Sequence, residues 1–171
     1  MVGHCRKILT VNLSSGEIRS ESFDEAFARK FLGGNGFAAS LIHDRVPAGI
    51  DPFDEENALV VAVGPLTDTK IWGSSRAHLA AISPLTGFFA DSNVGGNYPI
   101  AQKRAGFDAI FITGKSDTPS YLSITDDSCE IKKANGIWGL TTEETNRKLQ
   151  QDHGPKAEVI CIGPAGENCV L

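Results

Sequence analysis

From Arg6 to Leu13 apolar and polar residues alternate, with Leu9, Val11 and Leu13 on one face, the period-2 pattern of a half-buried strand. Ser14-Ser15-Gly16 supplies a turn and Glu17 to Ser22 a second strand, so the chain opens with a β-hairpin. Helical spacing takes over at Asp24, a capping residue, with the apolar positions Ala26, Phe27 and Phe31 recurring at that spacing and Gly33-Gly34 offering the left-handed conformation that ends a helix. A second helix, roughly Phe37 to Val46, buries Phe37, Leu41 and Ile42 until Pro47 breaks it. Ala58 to Val63 is apolar throughout, as a central strand covered on both faces would be, and it ends at Gly64-Pro65-Leu66-Thr67. After a strand over His78 to Ile82, Ser83-Pro84-Leu85-Thr86 repeats the Pro-Leu-Thr element, which points to two similar halves rather than a solenoid.

Phe88 to Asp91 reads as a strand, Asn93-Val94-Gly95-Gly96 as a loop, and Pro99 to Ala105 as a short helix closed by Gly106. Ala109 to Thr113 is a second buried strand. Tyr121 to Thr125 and Cys129 to Lys133 form a hairpin around Asp126-Asp127-Ser128. Thr141 and Glu144 make a capping box for a helix reaching about Asp152, and Ala157 to Ile162 is a last strand running into Gly163-Pro164-Ala165-Gly166-Glu167-Asn168. Strands that come in hairpins as well as alternating with helices predict an α+β domain on a mixed, largely antiparallel sheet.

Composition agrees with one globular domain over residues 1–171, at 41% hydrophobic and 22% charged. No apolar run approaches the ~18–20 residues of a membrane span, and Met1 to Arg6 leads straight into a strand pattern instead of a signal peptide. The expectation is a cytoplasmic protein without membrane contact. Cys5, Cys129, Cys161 and Cys169 lack Cys-x-x-Cys spacing and read as buried free thiols, not as zinc or iron-sulfur ligands. His4, His43, His78 and His153 have no metal spacing and receive no chemistry.

The candidate chemistry lies between Gly73 and Gly96. Asn-x-Gly-Gly lets successive backbone N–H groups converge on an anion, and the following helix start favours negative charge. From Lys70 to Phe107 the charged residues are Lys70, Arg76, Lys103 and Arg104 against Asp91 alone, in a chain of net charge −5. A local positive island suits a small anionic ligand, whereas nucleic acid would need a broad basic surface. Arg76 reads equally as a surface arginine, and the Asn93 loop as a bend with no ligand. Gly33-Gly34-Asn35-Gly36 looks like a phosphate loop but follows a helix, so it reads as a helix break, and Pro164 makes the Gly163 stretch a structural turn. No Ser/His/Asp set, Cys/His pair or close carboxylate pair can be placed.

Taken in order, Arg6 to Leu13 with Ser15-Gly16, Gly-Pro-Leu-Thr at Gly64, Ser-Ser-Arg at Arg76, Ser-Pro-Leu-Thr-Gly at Ser83, Asn-x-Gly-Gly at Asn93 and Ala-Gly-Phe-Asp-Ala-Ile at Ala105 resemble the N-terminal domain of tungsten-dependent aldehyde:ferredoxin oxidoreductases. The resemblance continues through Gly114-Lys115, Ile137-Trp138-Gly139 and Ile162 to Asn168, and so covers essentially the whole chain. It implies a tungsten or molybdenum ion held by two pyranopterin dithiolenes, a nearby four-iron iron-sulfur cluster, ferredoxin as electron acceptor and an aldehyde oxidised to a carboxylic acid. On this resemblance Arg76 lies between pterin and cluster, Asn93 and Gly95 contact the pterin phosphates with Val94 and Gly96 in the same cofactor-binding loop, and a magnesium ion bridging those phosphates takes the backbone carbonyl of Asn93. The cluster ligands and remaining catalytic groups belong to C-terminal domains of the same polypeptide that these residues do not include. The expectation is therefore a cofactor cradle that is inactive alone, compatible with a homo-oligomer. The alternative is a stand-alone binder of pterin or another phosphorylated small molecule.

Overall fold

In the computed structural model, which describes residues 3–126 and 128–170, the predicted opening hairpin forms as β1 (Lys7–Asn12) and β2 (Glu17–Ser22). Two helices follow, α1 (Glu25–Phe31) and α2 (Asn35–Arg45), and then β3 (Leu59–Val63), β4 (Ala77–Ile82) and β5 (Phe89–Val94). Helix α3 (Tyr98–Arg104) leads into β6 (Ala109–Thr113). A second hairpin, β7 (Ser120–Thr125) and β8 (Ser128–Lys133), precedes α4 (Thr142–His153) and the single turn α5 (Pro164–Glu167). Asp127 of the predicted turn between β7 and β8 lies outside the described residues.

The main sheet has six strands in the order β2-β1-β6-β3-β4-β5, and β7-β8 form a separate pair. Only β1 with β6 is parallel; every other pairing in the sheet is antiparallel, so the α+β expectation of a mixed, largely antiparallel sheet holds. Val60 to Val63 are buried, as a strand covered on both faces requires. One face carries Ile8, Val60, Ala62, Ala80 and Phe111 under α1 and α2, where the Phe37 ring stands 5.0 Å from Phe23 and 4.9 Å from Phe27. The other face carries Leu9, Val11, Val61, Val63 and Ile110, and the inner side of the β7–β8 hairpin, with Leu122, Ile124 and Ile131, packs on it. Among the described residues no helix is long and apolar enough to cross a membrane.

Internal similarity runs further than the two Pro-Leu-Thr turns. Leu9-Thr10-Val11 and Glu17-Ile18 of the first hairpin have counterparts of equal spacing in Leu122-Ser123-Ile124 and Glu130-Ile131 of the second. Val60 through Gly64-Pro65 matches Val159 through Gly163-Pro164. Each hairpin is therefore followed by helix, two helices after the first and one after the second, and then by an apolar segment ending in Gly-Pro.

The structure corrects three readings. Ala157 to Ile162 belongs to no strand; Val159 packs beside Tyr121, Ala134, Ile137 and Leu149, while Ile160 and Ile162 stay exposed. Alternation supplies a surface to bury, yet a strand also needs a neighbour to take its amides, and among the described residues none lies beside it. Strand β5 runs three residues past the predicted Asp91, because pairing with β4 (His78 with Asn93, Ala77 with Val94) outweighs the low strand propensity of Asp, Ser and Asn. Cys5 and Cys129 are only half-buried, and Cys161 and Cys169 are exposed. Burial still pushes the Cys129 thiol up to about 11.

The capping box at α4 is present in full. Thr141 Oγ1 accepts from Glu144 N, and Glu144 Oε2 accepts from Thr141 N at 2.9 Å, a bond that holds the Glu144 carboxyl below its ordinary range. Thr141→Ala should cost about 1 kcal/mol of stability in urea unfolding, and Thr141→Ser should recover most of it.

Candidate functional site

Arg76 stands immediately before β4, on a loop that the sequence pins at several points. Thr67, itself buried, donates from Oγ1 to the carbonyls of Ser74 (3.3 Å) and Arg76 (3.4 Å). Arg104 grips Asp68 with two bonds of 2.9 and 2.7 Å, which holds the Asp68 carboxyl below its usual range. Beneath the loop, Lys103 Nζ meets Asp108 Oδ1 at 2.5 Å, and Asp108 Oδ2 accepts from Arg6 N at 2.6 Å. The loop is anchored below, while its tip leaves Leu66, Ile71 and the fully exposed Trp72 in solvent.

These pairings redraw the positive island. Lys103 and Arg104 are neutralised by Asp108 and Asp68, two acids just outside the window in which the sequence shows an excess of cations. Among the described residues Arg76 has no carboxylate partner; its Nη1 donates to the Ser75 carbonyl at 3.1 Å. A guanidinium without a counter-ion on the surface of an acidic chain is the charge an anionic ligand would use.

The guanidinium rests on Gly95. A Cβ added there would overlap Arg76 Nη1 and lie 3.2 Å from its Cζ. Ser75 Oγ donates to the Gly96 carbonyl at 2.5 Å, and Gly96 adopts φ +75°, a conformation side chains disfavour. The arginine and the glycine bend predicted from sequence are thus in contact. The bend itself is shorter than predicted, because Asn93 and Val94 belong to β5 and only Gly95, Gly96 and Asn97 turn before α3. Helix α3 has seven residues and no side-chain cap, so its dipole adds little to an anion site.

Register settles which side chains share a face. His78 lies opposite Asn93, and continuing the pairing sets Arg76 opposite Gly95; by strand alternation these four look toward the α2 side. Val94 pairs with Ala77 and packs in the opposite core, so it offers the site only its backbone. A cavity of about 510 Å³, lined by Leu79, Ser92, Asn93, Val94, Thr142 and Val159 among others, opens on that opposite face; Asn93 thus borders it, and Arg76 does not line it.

One residue at the site, His78, was assigned no chemistry from the sequence. His78 Nδ1 stands 3.5 Å from Asp91 Oδ2, and the His78 ring fits only because Gly34 lacks a side chain, since a Cβ there would sit 2.9 Å from Cδ2. Gly33-Gly34 ends α1 as predicted, while Asn35 and Gly36 already form the first turn of α2. The close fit of Gly34 to β4 is a long-range contact to which only the sheet register gives a clue. Among the described residues no group of three or more His, Cys, Asp or Glu is placed to hold a metal ion.

Residues 8–171 match the family described as aldehyde ferredoxin oxidoreductase, N-terminal domain. The chain belongs to this family. It is 44% identical over 171 residues to the tungsten-containing aldehyde ferredoxin oxidoreductase of Pyrococcus horikoshii, covering 99% of this chain and 28% of that protein. The aliphatic sulfonate oxidoreductase, WOR-like subunit, of Pyrococcus furiosus is 29% identical over 186 residues, covering 99% of this chain and 30% of that one. Among solved structures, a chain of the active site complex BamBC of benzoyl coenzyme A reductase, in complex with 1,5-dienoyl-CoA, superposes with a TM-score of 0.94 at 36% identity, over 98% of this chain and 26% of that one. The chain therefore spans little more than a quarter of the length of its aldehyde ferredoxin oxidoreductase relatives.

Proposed function

We propose that this domain of the family cradles a tungsten or molybdenum bis-pyranopterin through its phosphates. The observation that carries this reading is the contact between Arg76, a guanidinium with no carboxylate partner among the described residues, and a backbone without side chain at Gly95. Arg76 would bind a phosphate oxygen with charge-assisted hydrogen bonds, and Gly95 and Gly96 would let backbone approach it. Asn93 would offer its backbone carbonyl to a magnesium ion bound with those phosphates, whose charge the ion would help to neutralise. Bound, the metal–pterin group supplies the two-electron chemistry. The chain's own residues bind it, fix its orientation and keep one positive charge beside it.

The activity we propose for the longer protein is oxidation of an aldehyde to a carboxylic acid with ferredoxin as acceptor. Its four-iron cluster and acid/base groups would be held by C-terminal domains. The exposed apolar residues Leu66, Ile71 and Trp72, at the same end of the sheet as Arg76, suit burial against such domains. This chain alone would not turn over.

Calorimetric titration with dihydroneopterin triphosphate against ATP tests the binding reading. The pterin should bind about 10-fold or more tighter than ATP, with no aldehyde oxidation by the chain. Equal affinities would reduce the site to a general triphosphate binder, and turnover with ferredoxin would overturn the cradle role.

A further inference from the structure

We propose that His78 is a specificity-determining residue of the same site, accepting a hydrogen bond from a ring N–H of the pterin whose phosphate Arg76 holds. This rests on the ligand reading above and adds a residue to which neither family membership nor spacing assigns a role. Three observations carry it. By alternation His78 looks out on the same face as Arg76, two residues along β4 and hence ~7 Å away, so one ligand can span both. The His78 ring is wedged between Gly34 and Asp91, so its orientation is fixed from two sides. Among the described residues Nε2 has no hydrogen-bond partner, while the side chain keeps 26% of its surface open.

Chemistry then gives the polarity of the contact. Asp91 can only accept, so the Nδ1 edge that faces it would carry a proton, and a ligand N–H would be met by the Nε2 lone pair. At 3.5 Å the Asp91 contact is at the outer limit of a hydrogen bond, and it turns the Nδ1 edge of the ring toward Asp91. Arg76 offers only donors and His78 an acceptor, so together they read a ligand that has an oxyanion at one end and an N–H at the other. Inorganic polyphosphate satisfies the first and not the second.

The test compares dihydroneopterin triphosphate with inorganic triphosphate on the same chain. His78→Leu should weaken the pterin compound about 10-fold and leave inorganic triphosphate unchanged, whereas His78→Gln, which keeps an acceptor, should retain most of the preference. Asp91→Ala should lower the preference in the same direction, and Asp91→Asn, which still accepts from Nδ1–H, should restore it. Arg76→Ala should weaken both ligands. If His78→Leu and Asp91→Ala keep the full preference while Arg76→Ala loses affinity, the role of His78 is wrong and the cradle stands; if the unaltered chain binds neither compound, both fall.

Discussion

Replacing Asp108 by alanine is expected to cost about 3–5 kcal/mol of unfolding free energy, the largest effect of any single change proposed here. Asp108 is fully buried and Lys103 is 9% exposed, so their pair has lost nearly all its water. Alanine would leave a buried ammonium without its carboxylate and the Arg6 N–H without its acceptor, two separate penalties at one place. Removing both charges with Lys103→Met and Asp108→Leu should be milder than Asp108→Ala alone, because an apolar pair of similar volume avoids the unpaired charge. Urea or guanidinium unfolding of the two variants reads the difference. A loss below about 1 kcal/mol for Asp108→Ala would mean that water reaches the pair. Because Asp108 joins the end of α3 to the start of β1, the substitution should also loosen the base of the loop that presents Arg76.

Gly95→Val should reduce affinity for dihydroneopterin triphosphate about 100-fold while changing stability by less than about 1 kcal/mol. Gly95 does not adopt a positive φ, unlike Gly96, so valine brings no backbone strain. What it brings is a Cβ where the guanidinium now lies, and the arginine must leave. Arg76→Ala should reproduce the affinity loss, since both changes empty the same place of charge. The double variant should be no worse than either single one, the signature of two residues acting as a unit. Calorimetry on the three variants measures this, and additive losses would show that Gly95 and Arg76 act independently.

Local pattern made much of the fold legible. The β6 bounds, Ala109 to Thr113, coincide with the apolar run, and the Thr141–Glu144 box and the Asp24 cap form as their residue types dictate. Local pattern failed where a partner decides the outcome. Asp91, Ser92 and Asn93 are poor strand formers held in β5 by β4, and Ala157 to Ile162 is a good strand former with nothing to pair with. The same holds at the site. Arg76 and Gly95 could each be picked out by type, but the cancellation of Lys103 and Arg104 depended on Asp108 and Asp68, whose positions the fold supplies. His78 looked idle because its neighbours, Gly34 and Asp91, come from two other elements.

Strand β6 is hydrogen-bonded to β1 on one side and β3 on the other, and without it the six strands would separate into a hairpin and a three-stranded ribbon. Its partner β1 is made about 100 residues earlier, so the first hairpin must wait, unpaired on one edge, until β6 has been made. Closure of the sheet is thus an event of high contact order.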